Sequence, residues 1–419
     1  MSKNYAKMYS RAWYGDEEIT LTFPENWEVT MVAPKDAPEL SDAAIEAAFG
    51  QPIGTPRIEE MARGKSDAVI IVDDLSRPTP AATVIPLLLR ELHQAGIPKN
   101  EIRFVVGPGS HRPITDEEIV KKVGADIAAS YEVTNHDFMS GNLRALGNLD
   151  EGMPIYINPV VADADFKVCL GGIYPHKAVG FGGGAKLIVP GVSGFSTMFH
   201  FHNYYPGRGH ATVERQIDKT DARDVAEAAA RVVGVDAIVN LVINSRREIA
   251  GLFVGDLVEA HRAGARFALE TYGTQIPEAV RQETDVIVLN CYPIDSDAIQ
   301  TTKTFWARRY FDDVYTIAVN PASDGFCYHG LYDLLDYPRY LRRRARKTPI
   351  ALPTPEIESP GQALVWSEHF PPDEFYKDHP GDILFREWDT LVNRLAEKLP
   401  QNAKVAAFPC ASIQVLAEE

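Results

Sequence analysis

Uninterrupted apolar runs, each closed by a short polar loop, recur along this chain and constrain its fold more than any other feature. AVIIVDD (68–74), IRFVVG (102–107), DFKVCLGG (165–172) and DAIVNLVIN (236–244) lie in the first two thirds. VIVLN (286–290), YTIAVN (315–320) and KVAAFP (404–409) follow. A run lacking polar alternation fits a parallel strand covered on both faces. Parallel neighbours need crossover connections, usually helices. Helical stretches do lie between the runs, at 81–94 (with Pro86 a possible kink), 221–233 and 386–398. Ser41 can cap a short helix through Ala48, and Thr115 with Glu118 forms a capping-box pattern. ITLTF and WEVTMV, joined through Pro24–Asn26, read as a hairpin.

The expected class is therefore α/β, with two α/β domains and a catalytic cleft between them. A larger N-terminal domain would span residues 1–272 and a smaller, Rossmann-like C-terminal domain residues 273–419. The connector 258–272 reads as their junction, and 349–360 as a surface loop within the second domain.

At 419 residues the chain is long enough for two cores. Its formal net charge of -16 argues against nucleic acid as a partner, since that footprint is basic. A local basic pocket for a small anion, from Arg77, Arg112 and Lys186, stays open. The first residues carry no apolar leader core, and no apolar run approaches the roughly twenty residues of a membrane span. Cys169, Cys291, Cys327 and Cys410 lie far apart without a C-x-x-C spacing, so reduced thiols and a cytoplasmic location are expected.

In open α/β sheets ligands collect beyond the carboxyl ends of the strands. Three consecutive runs end in Asp74-Leu75-Ser76-Arg77, in Ser110-His111-Arg112 and in Pro175-His176. His93, His136, His261, His369 and His379 read as ordinary structural or surface imidazoles. After His176 comes GFGGGAK, Gly180 to Lys186. Glycines there let backbone approach a ligand or take positive φ, and successive N–H groups can form a nest for phosphate. A lysine can neutralise such a phosphate or bond covalently to a cofactor. The loop is not a Walker A motif, because Leu187 stands where Ser or Thr is needed. The Rossmann G-x-G-x-x-G spacing fails as well. His200 and His202 offer imidazoles suited to a transition metal. On a strand both would face one side; on a helix they would diverge.

The ordered set DLSRPTP, GSHRP, PHKAVGFGGGAK, PGVSG and His202 resembles the nickel-dependent lactate racemase family over roughly Thr55 to Lys303. The central spacing is specific: His176 stands ten residues before Lys186, and His202 sixteen after it. The resemblance implies an isomerase, a racemase or epimerase of a 2-hydroxy acid. Its cofactor would be a nickel-pincer nucleotide, a pyridinium-3,5-bisthiocarboxylate mononucleotide tethered to Lys186. Gly182, Gly183 and Gly184 would cradle it and His202 would hold the nickel, with His200 a neighbour in the pocket. His111 and His176 match the acid/base pair. Arg77 matches the carboxylate-binding arginine, Asp74 its neighbouring site aspartate, and Lys303 a lysine closing from the second domain. The implied reaction passes hydride to the cofactor and back through a 2-keto acid. Separate cofactor-biosynthesis proteins are the implied partners.

Two positions depart from that pattern. Gly182 replaces a small hydroxyl residue, and Ile299 stands where the lactate enzymes carry a tyrosine in the substrate pocket. With Trp306, Arg308 and Arg309 nearby in sequence, these changes point to a 2-hydroxy acid other than lactate. A zinc hydrolase built on His111, His176 and His202 is the competing reading, but it leaves Lys186 and the glycines idle. A non-catalytic protein that binds the nickel cofactor is a third.

Overall fold

The computed structural model describes residues 4–149, 152–204, 216–218, 220–325, 356–372, 375–376 and 381–417. Its contacts divide these into two units, one formed by Ala37–Leu269. The other joins the described residues through Asp36 to those from Glu270 onward. The sequence reading assigns residues 1–36 to the first domain. They group instead with the second, because strand Glu28–Met31 pairs in parallel with strand Lys404–Phe408.

In the 37–269 unit a six-stranded sheet runs in the order 249–255, 237–243, 166–172, 68–72, 102–106 and 132–135. All neighbours are parallel except Ile249–Gly255, which returns antiparallel beside Ala237–Ile243. Ala68–Val72 is buried at every residue, as its unbroken apolar run requires. Val72 aligns with Val106 on one side and Leu170 on the other. The segments following these three strands therefore leave the sheet at one edge.

The helices begin where the capping chemistry places them. Ser41 accepts from the Ala44 N–H at the start of Asp42–Gly50. Thr115 and Glu118 form the reciprocal capping box of Asp116–Val123. Thr220 caps Asp221–Val233, which ends at Gly234 in the left-handed region. Pro86 sits in the first turn of Ile85–Gln94, where its missing N–H costs no helical bond, so it starts the helix and does not kink it.

The second unit carries a six-stranded, all-parallel sheet in the order 383–385, 363–366, 315–319, 286–290, 404–408 and 28–31. The expected N-terminal hairpin is not formed. Glu17–Thr22 pairs antiparallel with the earlier strand Tyr5–Ser10, and Glu28–Met31 leaves for the parallel sheet. Tyr5–Ser10 alternates buried and exposed side chains, a period-two pattern the hairpin reading overlooks. The 349–360 loop lies outside the described residues up to 355.

In this second unit Asp295 is fully buried and accepts the N–H groups of Arg11 at 2.7 Å and Ala12 at 3.0 Å. Burial pushes its carboxyl up to about 7, against the lowering effect of those two N–H groups. Ile299 and Lys303 lie in this unit on the 3-10 helix Ala298–Tyr310, whose cap Asp297 accepts the Ile299 N–H. Among the described residues no helix is long and apolar enough to cross a membrane.

Candidate active site

The loop after Ala68–Val72 is fixed from below by a buried ion pair. Lys122, fully buried on Asp116–Val123, donates to Asp73 Oδ1 at 2.7 Å and to the carbonyls of Arg77 and Thr79. The second Asp73 oxygen accepts from Thr79 Oγ1 at 2.6 Å and the Gly172 N–H at 3.0 Å. Burial lowers the Lys122 pKa, opposed by the adjoining Asp73 charge. One carboxylate thus ties this loop to the end of Phe166–Gly172. Neither Asp73 nor Lys122 stood out in the sequence.

The next residue in the loop, Asp74, is 2% exposed and meets His111 from the neighbouring strand's loop. Asp74 Oδ2 lies 2.6 Å from His111 Nδ1, while Oδ1 accepts from the Ser76 hydroxyl at 2.5 Å and its N–H at 3.1 Å. Burial alone would raise the Asp74 pKa. The charge and hydrogen bond of His111, with Arg77 and Ser76, instead hold it well below the usual carboxylate range. An ionised Asp74 orients the imidazole with its proton on Nδ1 and leaves Nε2 as the basic nitrogen. Asp74 is therefore engaged with His111, although the resemblance placed it beside the substrate. Arg77 reaches Ser76 Oγ at 3.1 Å. Arg112 forms a bidentate pair with Glu118 at 2.7 and 2.6 Å, which takes it out of the suggested anion pocket.

The third strand end bears His176. It lies in a two-residue ribbon, Pro175–His176, paired with Gly180–Phe181. Its Nδ1 accepts the Ala178 N–H at 3.1 Å, and its Nε2 lies 2.8 Å from Lys186 Nζ. Lys186 stands on the 3-10 turn Gly184–Leu187. Gly183 and Gly184 enter that turn at φ +75° and +55°, a region that disfavours residues with a Cβ. A Cβ on Gly183 would lie 3.1 Å from Asn240 Oδ1, a buried acceptor with no hydrogen-bond partner among the described residues.

His202 lies on helix Phe195–Tyr204, not on a strand, so His200 and His202 diverge around its axis. The Met198 carbonyl accepts from His202 Nδ1 at 2.8 Å, which leaves Nε2 with the lone pair of the neutral ring. Burial is the main cause that pushes this imidazole down to about 4, opposed by the Met198 carbonyl. The charges of Lys186 and His111 add to the lowering, so His202 shares their field. A neutral imidazole with an oriented lone pair is the form that binds a metal.

Asp74, Arg77, His111, His176, Lys186 and His202 thus all belong to the 37–269 unit; Ile299 and Lys303 belong to the other. Among the described residues no three His, Cys, Asp or Glu side chains gather as a metal-binding group. That geometry disfavours the three-imidazole zinc reading.

A family model described as the lactate racemase N-terminal domain matches residues 14–212. The lactate racemase of Lactiplantibacillus plantarum is 32% identical over 313 residues, covering 73% of this chain and 72% of that protein. The lactate racemase of Thermoanaerobacterium thermosaccharolyticum is 30% identical over 294 residues, covering 69% and 67%. Among solved structures, the lactate racemase apoprotein of the latter organism superposes with a TM-score of 0.73. Its sequence identity is 20%, with 99% of this chain and 100% of that one covered. A Thermotoga maritima structural-genomics target gives 0.63 at 16% identity, covering 91% and 99%.

Proposed function

The chain belongs to the lactate racemase family of isomerases, and on that premise we propose that it racemises or epimerises a 2-hydroxy acid other than lactate, using a nickel-pincer nucleotide tethered at Lys186. The observation that carries this reading is the 2.8 Å approach of His176 Nε2 to Lys186 Nζ on the turn that closes the glycine run. The residues fit the group. Gly182 to Gly184 form a turn, with Gly183 and Gly184 at positive φ, that would fit a nucleotide's phosphate, Lys186 would supply the amine, and His202 Nε2 would supply one metal ligand. When bound, a nickel-pincer nucleotide held by Lys186 and His202 would supply reversible hydride chemistry at C2 of the substrate, by way of a planar 2-keto acid.

The protein's own groups do the remainder. Arg77 would clamp the substrate carboxylate and so orient C2. His111, with its proton held on Nδ1 by Asp74, takes the hydroxyl proton at Nε2 for one enantiomer. His176 is the acid/base group for the other enantiomer, since inversion demands one for each. Withdrawing hydride while a base removes the hydroxyl proton avoids a dianionic carbanion. Ile299, in place of the lactate enzymes' tyrosine, favours a substrate with a different side chain.

The test is to co-produce the protein with cofactor-biosynthesis proteins and screen paired enantiomers of 2-hydroxy acids, from lactate through aliphatic, aromatic and sugar acids. Interconversion of a larger acid, lost in His111→Ala and in His176→Ala while nickel stays bound, is expected. Turnover of lactate alone, or activity persisting in both variants, would overturn the reading.

A further inference from the structure

Beneath the glycine turn lies a group of buried charges to which the reaction assigns no part. Arg223, 1% exposed on helix Asp221–Val233, donates to the carbonyls of Phe181, Gly182 at 3.4 Å and Gly183 at 3.2 Å. His261, also 1% exposed, lies with Nε2 2.8 Å from the same Gly182 carbonyl. Its Nδ1 accepts from Arg262 at 3.1 Å, and Arg262 forms a bidentate pair with Glu227 at 2.7 and 3.1 Å. The chain Glu227–Arg262–His261–Gly182 fixes the His261 tautomer, with the proton on Nε2. Burial holds that imidazole well below its ordinary pKa, the Arg223 charge adding to the effect, so it is a neutral donor.

Two consequences follow from geometry and charge. In a planar trans peptide the C=O and the next N–H point in opposite directions. With the carbonyls of Gly182 and Gly183 drawn towards Arg223, the N–H groups of Gly183 and Gly184 face away from it. Neither N–H meets an acceptor among the described residues. Second, two guanidiniums share one carboxylate. Glu227 is bonded to Arg262, and it stands 4.0 Å from Arg223 Nε, which has no hydrogen-bond partner among the described residues. Among those residues the network keeps one unit of buried positive charge under the N–H groups of Gly183 and Gly184. Burying charge without a counter-ion is costly, and an anion on the other face of the turn would offset it.

We propose that Arg223 and His261 are positioning residues that hold the glycine turn open for a phosphate monoester, with Arg223 supplying its counter-charge from beneath. This rests on the reading above, in which the same turn receives the phosphate of a pyridinium mononucleotide.

The experiment is titration calorimetry of the cofactor-free full chain with inorganic phosphate and with nicotinic acid mononucleotide, alongside thermal melting. Arg223→Met should weaken both ligands at least tenfold, and Arg223→Lys, which keeps the charge but loses the fork, should recover part of the loss. Glu227→Gln should tighten both several-fold by leaving more positive charge uncompensated. Opposite signs from Arg223 and Glu227 are the mark of an electrostatic role, since loss of mere support would weaken binding in both. If Arg223→Met does not fold, Arg223→Lys and Glu227→Gln still decide the sign. Wild-type binding indifferent to these substitutions would overturn this inference and leave the reading of the turn standing. A wild type that binds neither ligand would overturn both.

Discussion

His176 Nε2 and Lys186 Nζ lie 2.8 Å apart, so the imidazole read as an acid/base group touches the amine read as the cofactor's anchor. The Ala178 N–H occupies the ring's other nitrogen, which fixes how the imidazole faces the amine. A single displaced side chain here would disturb both attachment and proton transfer.

Attachment is read directly by mass. Protein made with the cofactor-biosynthesis proteins should show an added mass confined to the peptide containing Lys186. Lys186→Ala and Lys186→Arg should both lack it, because a guanidinium does not replace an amine in that bond. An adduct surviving in either variant counts against Lys186 as the anchor.

Asp74→Asn tests the orientation of His111. An amide can bond the imidazole but neither stabilises its charged form nor enforces the proton on Nδ1. The loss should fall on kcat, roughly 10²–10⁴-fold, the usual range for general acid–base catalysis, with KM little altered. A change confined to KM would assign Asp74 to substrate binding.

The fate of the C2 hydrogen separates hydride return from proton exchange. Substrate deuterated at C2 should give product that keeps its deuterium in ordinary water. Wash-out into solvent would indicate a racemase that removes a proton.

Asp295 makes the second unit lose stability as pH rises to neutrality. Its folded pKa, about 7, stands above the ordinary carboxyl value of 3.8, so the folded state binds the proton more tightly than the unfolded state. Stability from this group is therefore full at low pH and declines as pH rises from about 4 through about 7. Asp295→Asn should flatten the fall in melting temperature between pH 5 and pH 8. An unchanged slope would refute the assignment.

Lys122→Met removes one partner of a buried pair and strands Asp73. The expected loss is about 3–5 kcal/mol in unfolding free energy, measured by denaturant titration. The double replacement Asp73→Leu with Lys122→Met should lose less. Equal losses would mean that the pair is not coupled.

Much of this molecule was legible in its sequence where burial is two-sided. The apolar runs became parallel strands because a covered sheet admits no polar alternation, and three of them carried Asp74, His111 and His176 to one edge. Side-chain direction was less legible. Spacing from Lys186 singled out His202, but whether His200 faces the same side was settled only by the helix Phe195–Tyr204. Asp74 was placed near the substrate, because spacing shows which loop a residue occupies but not which neighbour it meets.

The support beneath the glycines was the least visible, since Arg223 and His261 lie far from Gly182 in sequence. One signal existed. Arg223 stands three and seven residues before Ala226 and Ala230, on the buried, mostly alanine face of its helix. An arginine on such a stripe has to meet acceptors inside the protein, and the carbonyls of Phe181, Gly182 and Gly183 provide them.

The pairing of Glu28–Met31 with Lys404–Phe408 also orders events at the ribosome. Every strand of the inserted sheet has been synthesised once residue 255 is added, whereas the edge strand 28–31 must wait for its neighbour, which begins at Lys404. Translation that stops in between leaves that early edge without its hydrogen-bonding neighbour, a nascent-chain hazard created by the order of pairing.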